Sequence, residues 1–386
     1  MTIVTTEFTM SATVSREASV LAREPTTDTR SLPPRVCAMQ GKPQVDVHWL
    51  TLYTPVPMGQ QTYEVSIQQA VRDLDGPGWR FRSSSVGSVR SHATYRVPQR
   101  VLNRRAGAKT VGIAIGLQAD LVHRFDLRVP RPRGPHVLTL HDLPPMRFPD
   151  EGHLPPWCSD PIPDVEVICP SQFAASEVSE LLGARNITVI PYGVRPSFQK
   201  PTPMGEVDLS TLGITRPFFV HAAGVTQRKN LEGLAAAWAK AAPELPDHEL
   251  VLLGPPAGKR SELFGDLPRV VLPGKVDLDS VGSVMAAAHS VVVPSIYEGF
   301  GLPALEGMAV GTPVIAVERG ALPEVCEGAA IMTEPDGGSI AEAMISLGRG
   351  EVDLSSLVDK GLARASTFSW EKAARAHVDV YRKIVG

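Results

Sequence analysis

The sequence predicts an α/β protein with two doubly wound domains that face a cleft, and three observations support this fold class. The chain has 386 residues, whereas a single hydrophobic core stops growing at roughly 250–300 residues. From about residue 45 onward, short apolar runs alternate with stretches of helical periodicity. A proline-dense stretch at 196–203 divides this alternation into two series, and we interpret it as the linker between two domains.

The first series predicts a mostly parallel sheet covered by helices. A strand at 45–53 is followed by a glycine loop at Gly59 and by a helix at 63–74 with apolar residues near helical spacing. Ser171 and Gly183 are suitable N-cap and C-cap residues for a second helix at 172–182. Runs rich in β-branched residues predict further strands at 111–115, 121–125, 137–141, 165–170 and 188–190.

The second series repeats the pattern, and its alternation of strands and helices implies right-handed βαβ units with a mostly parallel sheet. Its strands are near-continuous runs of Val, Ile and Leu, which are typical of strands buried on both faces. The predicted strands are 218–221, 249–254, 269–272, 290–294, 313–317 and 330–333. The predicted helices are 231–242, 278–288, 303–310 and 339–347, with a last helix from 369 to 385.

These patterns give a domain organisation for the whole chain. Residues 1–34 are rich in Ser, Thr, Arg and Glu and predict a disordered N-terminal tail. An N-terminal domain at 35–195 and a C-terminal domain at 204–368 flank the linker at 196–203, and 369–386 form a separate C-terminal helix.

Composition excludes several classes of protein. The chain lacks both a run of about 18 apolar residues and the features of a secretory leader, so we expect a cytoplasmic protein without a membrane span. The four cysteines form no Cys-x-x-Cys pair. We therefore expect reduced thiols and neither a zinc site nor a disulfide framework.

The most informative segment lies at 295–313, after a predicted strand and across a predicted helix start. Gly299 and Gly301 allow backbone conformations that other residues disfavour and let a ligand approach closely. Pro303 suits the first helical position. The amides of Phe300 to Leu302 would then be free at a helix start, where anions bind.

Two carboxylates flank this glycine loop. Glu298 is expected in the loop at the carboxyl end of a strand, the edge at which doubly wound sheets bind ligands. Glu306 is expected in the first turns of the helix, on the side of the same cleft. Paired carboxylates can accept charge-assisted hydrogen bonds from hydroxyls. The alternative is a pair of solvated acids, with Glu306 only favouring the helix dipole.

The segment 298–306 closely resembles the E-x7-E signature of the family-4 retaining glycosyltransferases, which have the GT-B fold of two Rossmann-like domains. The basic loop at 224–231, the segment around His141 and Asp142, and the segments 169–173 and 190–194 resemble other parts of that family. The resemblance extends from about residue 50 to the end and is more specific in the C-terminal half. Within that family, the chain most resembles the bacterial mannosyltransferase-like members of cell-surface polysaccharide pathways.

The resemblance implies roles for individual positions. Glu306 would bind the ribose hydroxyls of the nucleotide, and Glu298 the hydroxyls of the donor sugar. Arg228 and Lys229 would neutralise the diphosphate, and His141 would lie over the donor sugar near the acceptor. Further implied contacts are Gly59 in the N-terminal domain and the backbone amides of Gly299, Phe300 and Gly301, to which the free amide of Leu302 adds. The last helix would cross back to the N-terminal domain. Apart from the resemblance, we expect base selection to lie partly in backbone contacts near Lys275 and Val276.

No cofactor other than a GDP- or UDP-linked sugar is expected. Two cations and a helix N-terminus can stabilise the departing diphosphate where its charge develops, without a metal ion. Asp73-Leu-Asp75 and Asp277-Leu-Asp279 look like metal-binding pairs, but they lack the context of a strand. Because the leaving phosphate can itself take the acceptor proton, we assign no protein nucleophile.

The expected reaction is transfer of a hexose, with mannose from GDP-mannose preferred and a UDP-hexose as the alternative, to a glycan or lipid-linked acceptor of the cell envelope. Between Arg80 and Arg133 there are twelve basic residues and two acidic ones. This region suits peripheral contact with an anionic membrane or a phosphate-bearing acceptor, or is simply a solvated face. Nucleic acid is not expected as a partner. An epimerase or phosphorylase on the same fold, or a non-catalytic partner subunit, remain rival functions.

Overall fold

Parallel β-strands form two separate sheets in the computed structural model, which describes residues 44–54, 59–74, 78–116, 119–254 and 258–386. The predicted tail at 1–34 lies outside these residues. In the first lobe the strands are β1 (Val45–Leu52), β2 (Trp79–Gly87), β3 (Tyr95–Arg96), β4 (Leu121–Arg124), β5 (His136–Thr139), β6 (Glu166–Cys169) and β7 (Asn186–Val189). Its helices are α1 (Gly59–Asp73), α2 (Gln99–Leu102), α3 (Arg105–Gly116) and α4 (Gln172–Leu182).

The second lobe repeats this architecture. Its strands are β8 (Phe218–Ala222), β9 (Glu249–Leu253), β10 (Val270–Gly274), β11 (Ser290–Val293), β12 (Val314–Val317) and β13 (Ile331–Thr333). The remaining helices are α5 (Glu206–Thr211), α6 (Leu231–Glu244), α7 (Gly258–Phe264), α8 (Leu278–Ala287), α9 (Leu302–Ala309), α10 (Leu322–Cys326), α11 (Gly337–Gly348), α12 (Leu354–Ala365) and α13 (Trp370–Val385).

Both sheets are doubly wound. Among the described residues, the first sheet has the order β3-β2-β1-β4-β5-β6-β7 and the second the order β10-β9-β8-β11-β12-β13, with parallel pairing throughout. The strand order reverses between β1 and β4 in one sheet and between β8 and β11 in the other. Ligands of such sheets bind outside the carboxyl ends of the strands at this switch point.

Many predicted elements are confirmed at their ends as well as in type. Helix α4 begins after Ser171, whose Oγ accepts a 3.0 Å hydrogen bond from the Ala174 amide, and ends at Gly183, which has φ 61°. The strands β8, β9, β11 and β12 are almost completely buried, as their continuous apolar runs predicted. Cys158, Cys169 and Cys326 are free and buried thiols, and Cys37 lies outside the described residues.

The strand predicted at 111–115 is wrong, because these residues belong to helix α3. The buried positions of that helix are Ala108, Gly112, Ile115 and Gly116, which recur at a spacing of three to four residues along one face. Gly112 packs so closely that a β-carbon there would lie 2.0 Å from the Arg131 carbonyl oxygen. The sequence analysis also missed β2 and β3. Short apolar runs do not distinguish a strand from a buried helix.

Gly59 does not lie in a loop. It is the exposed first residue of α1, which begins four residues before the predicted start. A β-carbon on Gly59 would meet no atom within 4 Å, so the described structure gives no close contact that requires glycine there. The preceding residues, 55–58, lie outside the described ranges.

The C-terminal helix α13 packs against the first lobe. Its Tyr381 hydroxyl accepts a 3.2 Å hydrogen bond from Trp49 Nε1 and lies 2.7 Å from His123 Nδ1. His377 Nε2 lies 2.9 Å from the Tyr63 hydroxyl. These buried polar contacts join the end of the chain to β1, β4 and α1. In the described part of the chain, no helix has the length and apolar content needed to cross a membrane.

Candidate functional site

Two loops lie side by side at the switch point of the second sheet. Strand β8 continues into a 3₁₀ turn at Gln227–Lys229, and β11 continues into the loop that reaches Glu298. A 2.9 Å hydrogen bond from the Ile296 amide to the Arg228 carbonyl joins the two loops. The predicted donor residues therefore start from neighbouring strands.

Glu298 is buried and paired with both predicted cations. Its Oε1 lies 2.6 Å from Lys229 Nζ, and its Oε2 lies 3.3 Å from Arg228 Nη1. Burial would raise the pKa of Glu298, but Lys229 and Arg228 outweigh this effect and hold the pKa below its usual value. The structure thus brings these three predicted residues into direct contact, with the carboxylate ionised.

Gly299 lies against the backbone of the first lobe. A β-carbon there would lie 2.0 Å from the His141 carbonyl oxygen and 2.8 Å from Asp142 Cβ, so a side chain would force the lobes apart. Ser171 Oγ also donates a 2.6 Å hydrogen bond to the Gly299 carbonyl. Gly301 has φ 98° and is the N-cap of α9, a conformation that glycine adopts without strain.

Phe300, between these two glycines, is buried in an aromatic cluster. Its ring centroid lies 4.5 Å from that of Tyr192 and 5.6 Å from that of Phe368. Leu302 begins α9, and Pro303 follows it. The aromatic contacts support the start of a helix whose first amides have no acceptor within the helix.

Glu306 lies in α9 and is paired with a residue that the sequence analysis did not single out. Arg195 donates to Glu306 Oε1 from Nε at 3.1 Å and from Nη2 at 2.7 Å. The Arg195 guanidinium lies over the Phe198 ring, 4.4 Å from its centroid. Burial raises the pKa of Glu306, and Arg195 opposes that rise. Glu306 is therefore held in an ion pair separate from that of Glu298.

His141 follows β5 and faces the aromatic cluster. Its Nδ1 hydrogen-bonds the Tyr192 hydroxyl, and its ring packs edge-on against Tyr63 with 4.7 Å between centroids. Burial lowers the pKa of His141 to about 4, so the imidazole is neutral at pH 7. Its Nε2 is buried without a hydrogen-bond partner in the described chain. Most buried polar atoms have a hydrogen-bond partner, and this nitrogen is available to bond a ligand hydroxyl.

An acidic segment of the first lobe contacts the basic 3₁₀ turn of the second lobe. Asp150 Oδ2 accepts a 2.6 Å hydrogen bond from the Gln227 amide, and Glu151 Oε1 lies 2.7 Å from Arg228 Nε. We call these two contacts the acidic clamp. The sequence analysis missed them because their partners are 77 residues apart and no spacing rule links them.

Asp142 adds a further carboxyl group to this cluster. It lies 3.9 Å from Arg228. Burial raises the pKa of Asp142 to about 6, Arg228 opposes the rise, and Glu298 adds to it. Asp142, Glu151 and Glu298 thus share two cations, which leaves the cluster with an excess of negative charge whenever all three are ionised.

Tyr297 makes a second contact between the lobes. Its hydroxyl accepts a 2.9 Å hydrogen bond from the Leu143 amide and donates one to Glu177. Glu177 is itself held by Arg147, with 3.0 Å between the two charged groups. These residues were also missed, because only the fold brings α4 next to the loop after β11.

Lys275 and Val276 are not joined to this cluster. Lys275 is exposed and Val276 is partly buried, just after the edge strand β10. In the described chain, no hydrogen bond or ion pair connects either residue to Glu298 or Glu306.

Within its described residues, the structure has two surface cavities away from Glu298, which is itself buried. Their volumes are about 400 and 300 Å³, and one lies beside β13 and α11 and the other at the amino ends of β5, β6 and β7. Neither cavity is lined by a predicted site residue. Across the described residues, no group of three or more His, Cys, Asp or Glu side chains is arranged to hold a metal ion.

Part of the second lobe matches a known family model. Residues 216–349 match the family model described as "Glycosyl transferases group 1". An MMP alpha-(1->4)-mannosyltransferase of Mycolicibacterium hassiacum is 38% identical over 112 residues, which cover 28% of this chain and 27% of the relative. The O-antigen chain mannosyltransferase B of Escherichia coli is 36% identical over 118 residues, covering 28% and 29%. The match thus spans less than a third of each relative.

Among solved structures, the HepE protein of Anabaena in complex with UDP-glucose has a similar fold. Its TM-score is 0.68 at 18% sequence identity, and the match covers 88% of this chain and all of that chain, 100%. At this identity the similarity concerns the arrangement of both lobes and not the ligand.

Proposed function

From the premise that residues 216–349 are a group 1 glycosyltransferase domain within a GT-B fold, we propose that this protein is a retaining, metal-independent hexosyltransferase. It takes a nucleotide sugar as donor and a glycan or lipid-linked acceptor of the cell envelope. The observation that carries the proposal is the buried cluster of Glu298, Arg228 and Lys229, which meets His141 of the other lobe through the Gly299 backbone.

The residues have distinct tasks in this reaction. Lys229 and Arg228 stabilise the diphosphate as its negative charge develops, in a buried site where such interactions are strong. Glu298 accepts hydrogen bonds from sugar hydroxyls, and its ionised state suits that task. His141 Nε2 bonds a hydroxyl of the sugar. The departing phosphate oxygen takes the acceptor proton, so attack and departure occur on one face of the ring.

GDP-mannose is the first choice of donor. Two relatives named as mannosyltransferases are 38% and 36% identical to this chain over 112 and 118 residues. A UDP-hexose is the second choice, because the similar Anabaena structure was solved with UDP-glucose. Lys275 and Val276 remain our candidates for contact with the base.

The basic region between Arg80 and Arg133 supports a weaker proposal about the acceptor side. Several of its charges are used internally: Arg124 is buried, and Arg128 and Arg82 pair with aspartates at 2.7 and 3.0 Å. The exposed members are Arg80, Arg90, Arg96, Arg100, Arg104, Arg105, Lys109, Arg131 and Arg133. We propose that they bring a cytoplasmic protein to an anionic surface. Sedimentation with vesicles of anionic lipid, and its loss at high salt, would support this.

A thermal-shift panel tests the proposed function. GDP, UDP, ADP and their sugars are added to the full chain, and one diphosphate at about 100 times its Kd should raise the Tm by about 3 °C. Lys229→Ala and Glu306→Ala should each reduce this shift. Lys259→Ala is the matched control, since Lys259 forms an ion pair 2.8 Å long with Glu232 outside the cluster.

The outcomes separate the rival functions. If no nucleotide changes the Tm of the wild type, the transferase proposal fails. If a donor is converted with no acceptor present, an epimerase is favoured, and use of inorganic phosphate favours a phosphorylase. Nucleotide binding without turnover on any acceptor would favour a non-catalytic partner subunit.

A further inference from the structure

Arg195 lies where the first lobe passes into the connection to the second, and it holds a carboxylate of the second lobe. Its two hydrogen bonds to Glu306, of 3.1 and 2.7 Å, both end on Oε1. We propose that Arg195 is a positioning residue for recognition of the nucleotide ribose, which directs Glu306 Oε2 toward the two ribose hydroxyls. The proposal rests on the proposed function, in which Glu306 binds the ribose.

Hydrogen-bond capacity supports the assignment of one oxygen. A carboxylate oxygen has two lone-pair sites, and the two donors of Arg195 occupy both sites on Oε1. In the described chain, no hydrogen bond reaches Glu306 Oε2. Oε2 therefore retains two acceptor sites, which match the number of hydroxyl groups in a ribose diol.

Burial explains why the carboxylate needs a fixed cation. The Glu306 side chain is 8% exposed and that of Arg195 is 12% exposed, so neither group is well hydrated. Burial raises the pKa of Glu306, and the Arg195 charge lowers it. A protonated Glu306 would lose charge-assisted acceptance of hydroxyl hydrogens. Removing Arg195 should therefore weaken ribose binding most strongly at low pH.

Packing holds Arg195 in place without a ligand. The guanidinium lies over the buried Phe198 ring, a cation–π contact. Two residues earlier, a β-carbon on Gly193 would lie 2.2 Å from the Trp370 backbone nitrogen, so the chain is fixed against the start of α13. An arginine mounted on such rigid backbone orients its partner before the nucleotide arrives.

The test is calorimetric titration with GDP, or with UDP if the thermal-shift panel selects it, and with its 2′,3′-dideoxy analogue, between pH 6 and 8. For Arg195→Gln we expect the Kd of the ribonucleotide to rise about 10-fold or more at pH 7. The ratio of variant to wild-type Kd should grow as the pH falls. We define discrimination as the Kd of the dideoxy analogue divided by the Kd of the ribonucleotide. In Arg195→Gln this discrimination should fall toward the value measured for Glu306→Gln.

Two further variants control for structure. Arg195→Lys keeps the positive charge but loses the paired donors of the guanidinium. The ratio of its Kd to the wild-type Kd should therefore not change with pH. Its preference for the ribonucleotide over the dideoxy analogue should be reduced. Arg349→Gln removes an arginine from an exposed ion pair with Glu244, 47% and 51% exposed, and should leave both readouts unchanged. If Arg195→Gln does not fold, the Arg195→Lys titration decides the proposal by the same discrimination.

Contrary results are distinct from failure of the proposed function. If the wild type binds a ribonucleotide and Arg195→Gln shows the same pH profile and the same discrimination, the positioning role is wrong and the transferase proposal stands. Equal weakening for ribo- and dideoxynucleotide, without pH dependence, also overturns it. If the wild type binds no nucleoside diphosphate, the proposed function fails and the ribose assignment fails with it.

Discussion

At the scale of single residues, burial has different effects on the pKa values of the titratable groups around Glu298. Glu298 remains ionised because two cations lie within 3.3 Å, whereas burial drives the pKa of Asp142 up to about 6. His141 is neutral because burial lowers its pKa to about 4. A neutral imidazole can bind sugar hydroxyls without adding positive charge to the site.

His141→Ala tests the placement of the imidazole over the donor sugar. Turnover should fall about 100-fold or more, the range of one well-placed hydrogen-bonding group, while nucleotide Kd changes little. Steady-state kinetics and titration with the diphosphate measure the two effects. Tyr192→Phe, which removes only the hydroxyl at His141 Nδ1, should cause a smaller loss. Equal losses of turnover and nucleotide affinity in His141→Ala would contradict the placement.

Gly299→Ala tests the close approach of the lobes. A β-carbon 2.0 Å from the His141 carbonyl must separate the two backbones, so turnover should fall and the radius of gyration should rise in X-ray scattering. Gly205→Ala is the control, because a β-carbon there meets no atom within 4 Å. Unchanged scattering together with unchanged turnover would show that the contact does not matter for function.

At the scale of elements, the sequence predicted the type and the bounds of a helix best where several local signals agree. Helix α4 has an N-cap, an amphipathic pattern and a glycine end, and its bounds were predicted correctly. Helix α3 has no Ser, Thr, Asp or Asn immediately before its first residue, and its Val111 and Ile113 resemble a strand. Strand β2 contains Arg and Ser at many positions, so its pairing with β1 decides its structure more than its propensity does.

In the acidic clamp, Asp150 and Glu151 bind the basic 3₁₀ turn at Gln227–Lys229. We expect Glu151 to compete with the diphosphate of a bound nucleotide for Arg228. Glu151→Gln should free Arg228 from a charged partner 2.7 Å away, so the Kd of the nucleoside diphosphate should fall about 3- to 10-fold, the range of a partly buried ion pair. Titration calorimetry measures this. Asp164→Asn, in an exposed ion pair with Arg185 of 71% and 78% exposure, should have no effect. Weaker binding by Glu151→Gln would show that the clamp supports the site instead of competing for it.

At the scale of the whole molecule, the sequence analysis located the site within one lobe but not the contacts between lobes. Glu298 was found because it follows a predicted strand at the ligand-binding edge of a doubly wound sheet, and Arg228 and Lys229 were found because the basic loop at 224–231 resembles that of the glycosyltransferase family. Arg195, Glu151 and Tyr297 were missed because their partners belong to the other lobe or the connection between lobes. No periodicity or motif records how two domains face each other.

The buried histidines predict how stability of the whole chain depends on pH. Burial lowers the pKa of His377 from 6.5 to about 4, so the unfolded chain binds its proton at a higher pH than the folded chain. Stability should therefore be full above about pH 6.5 and decline as the pH falls toward 4, by up to about 3 kcal/mol from this residue. Urea unfolding of the wild type and of His377→Gln at pH 5 and 7 measures the difference.

The variant should lose less stability than the wild type between pH 7 and 5, because the other buried histidines are unchanged and cancel in the comparison. His153→Gln, at an exposed position, should behave like the wild type. If the stability of His377→Gln has the same pH dependence as that of the wild type, His377 does not cause the predicted loss of stability at low pH.

The adjacency of Tyr297, Glu298 and Gly299 has a consequence for engineering a new donor preference. The outer two members contact the opposite lobe, and the central one binds the cations. A library that randomises this tripeptide would therefore yield mostly inactive clones, because most substitutions would remove the contacts between the two lobes. Diversity is better placed at 275 and 276, beyond the edge strand, where substitutions leave those contacts intact.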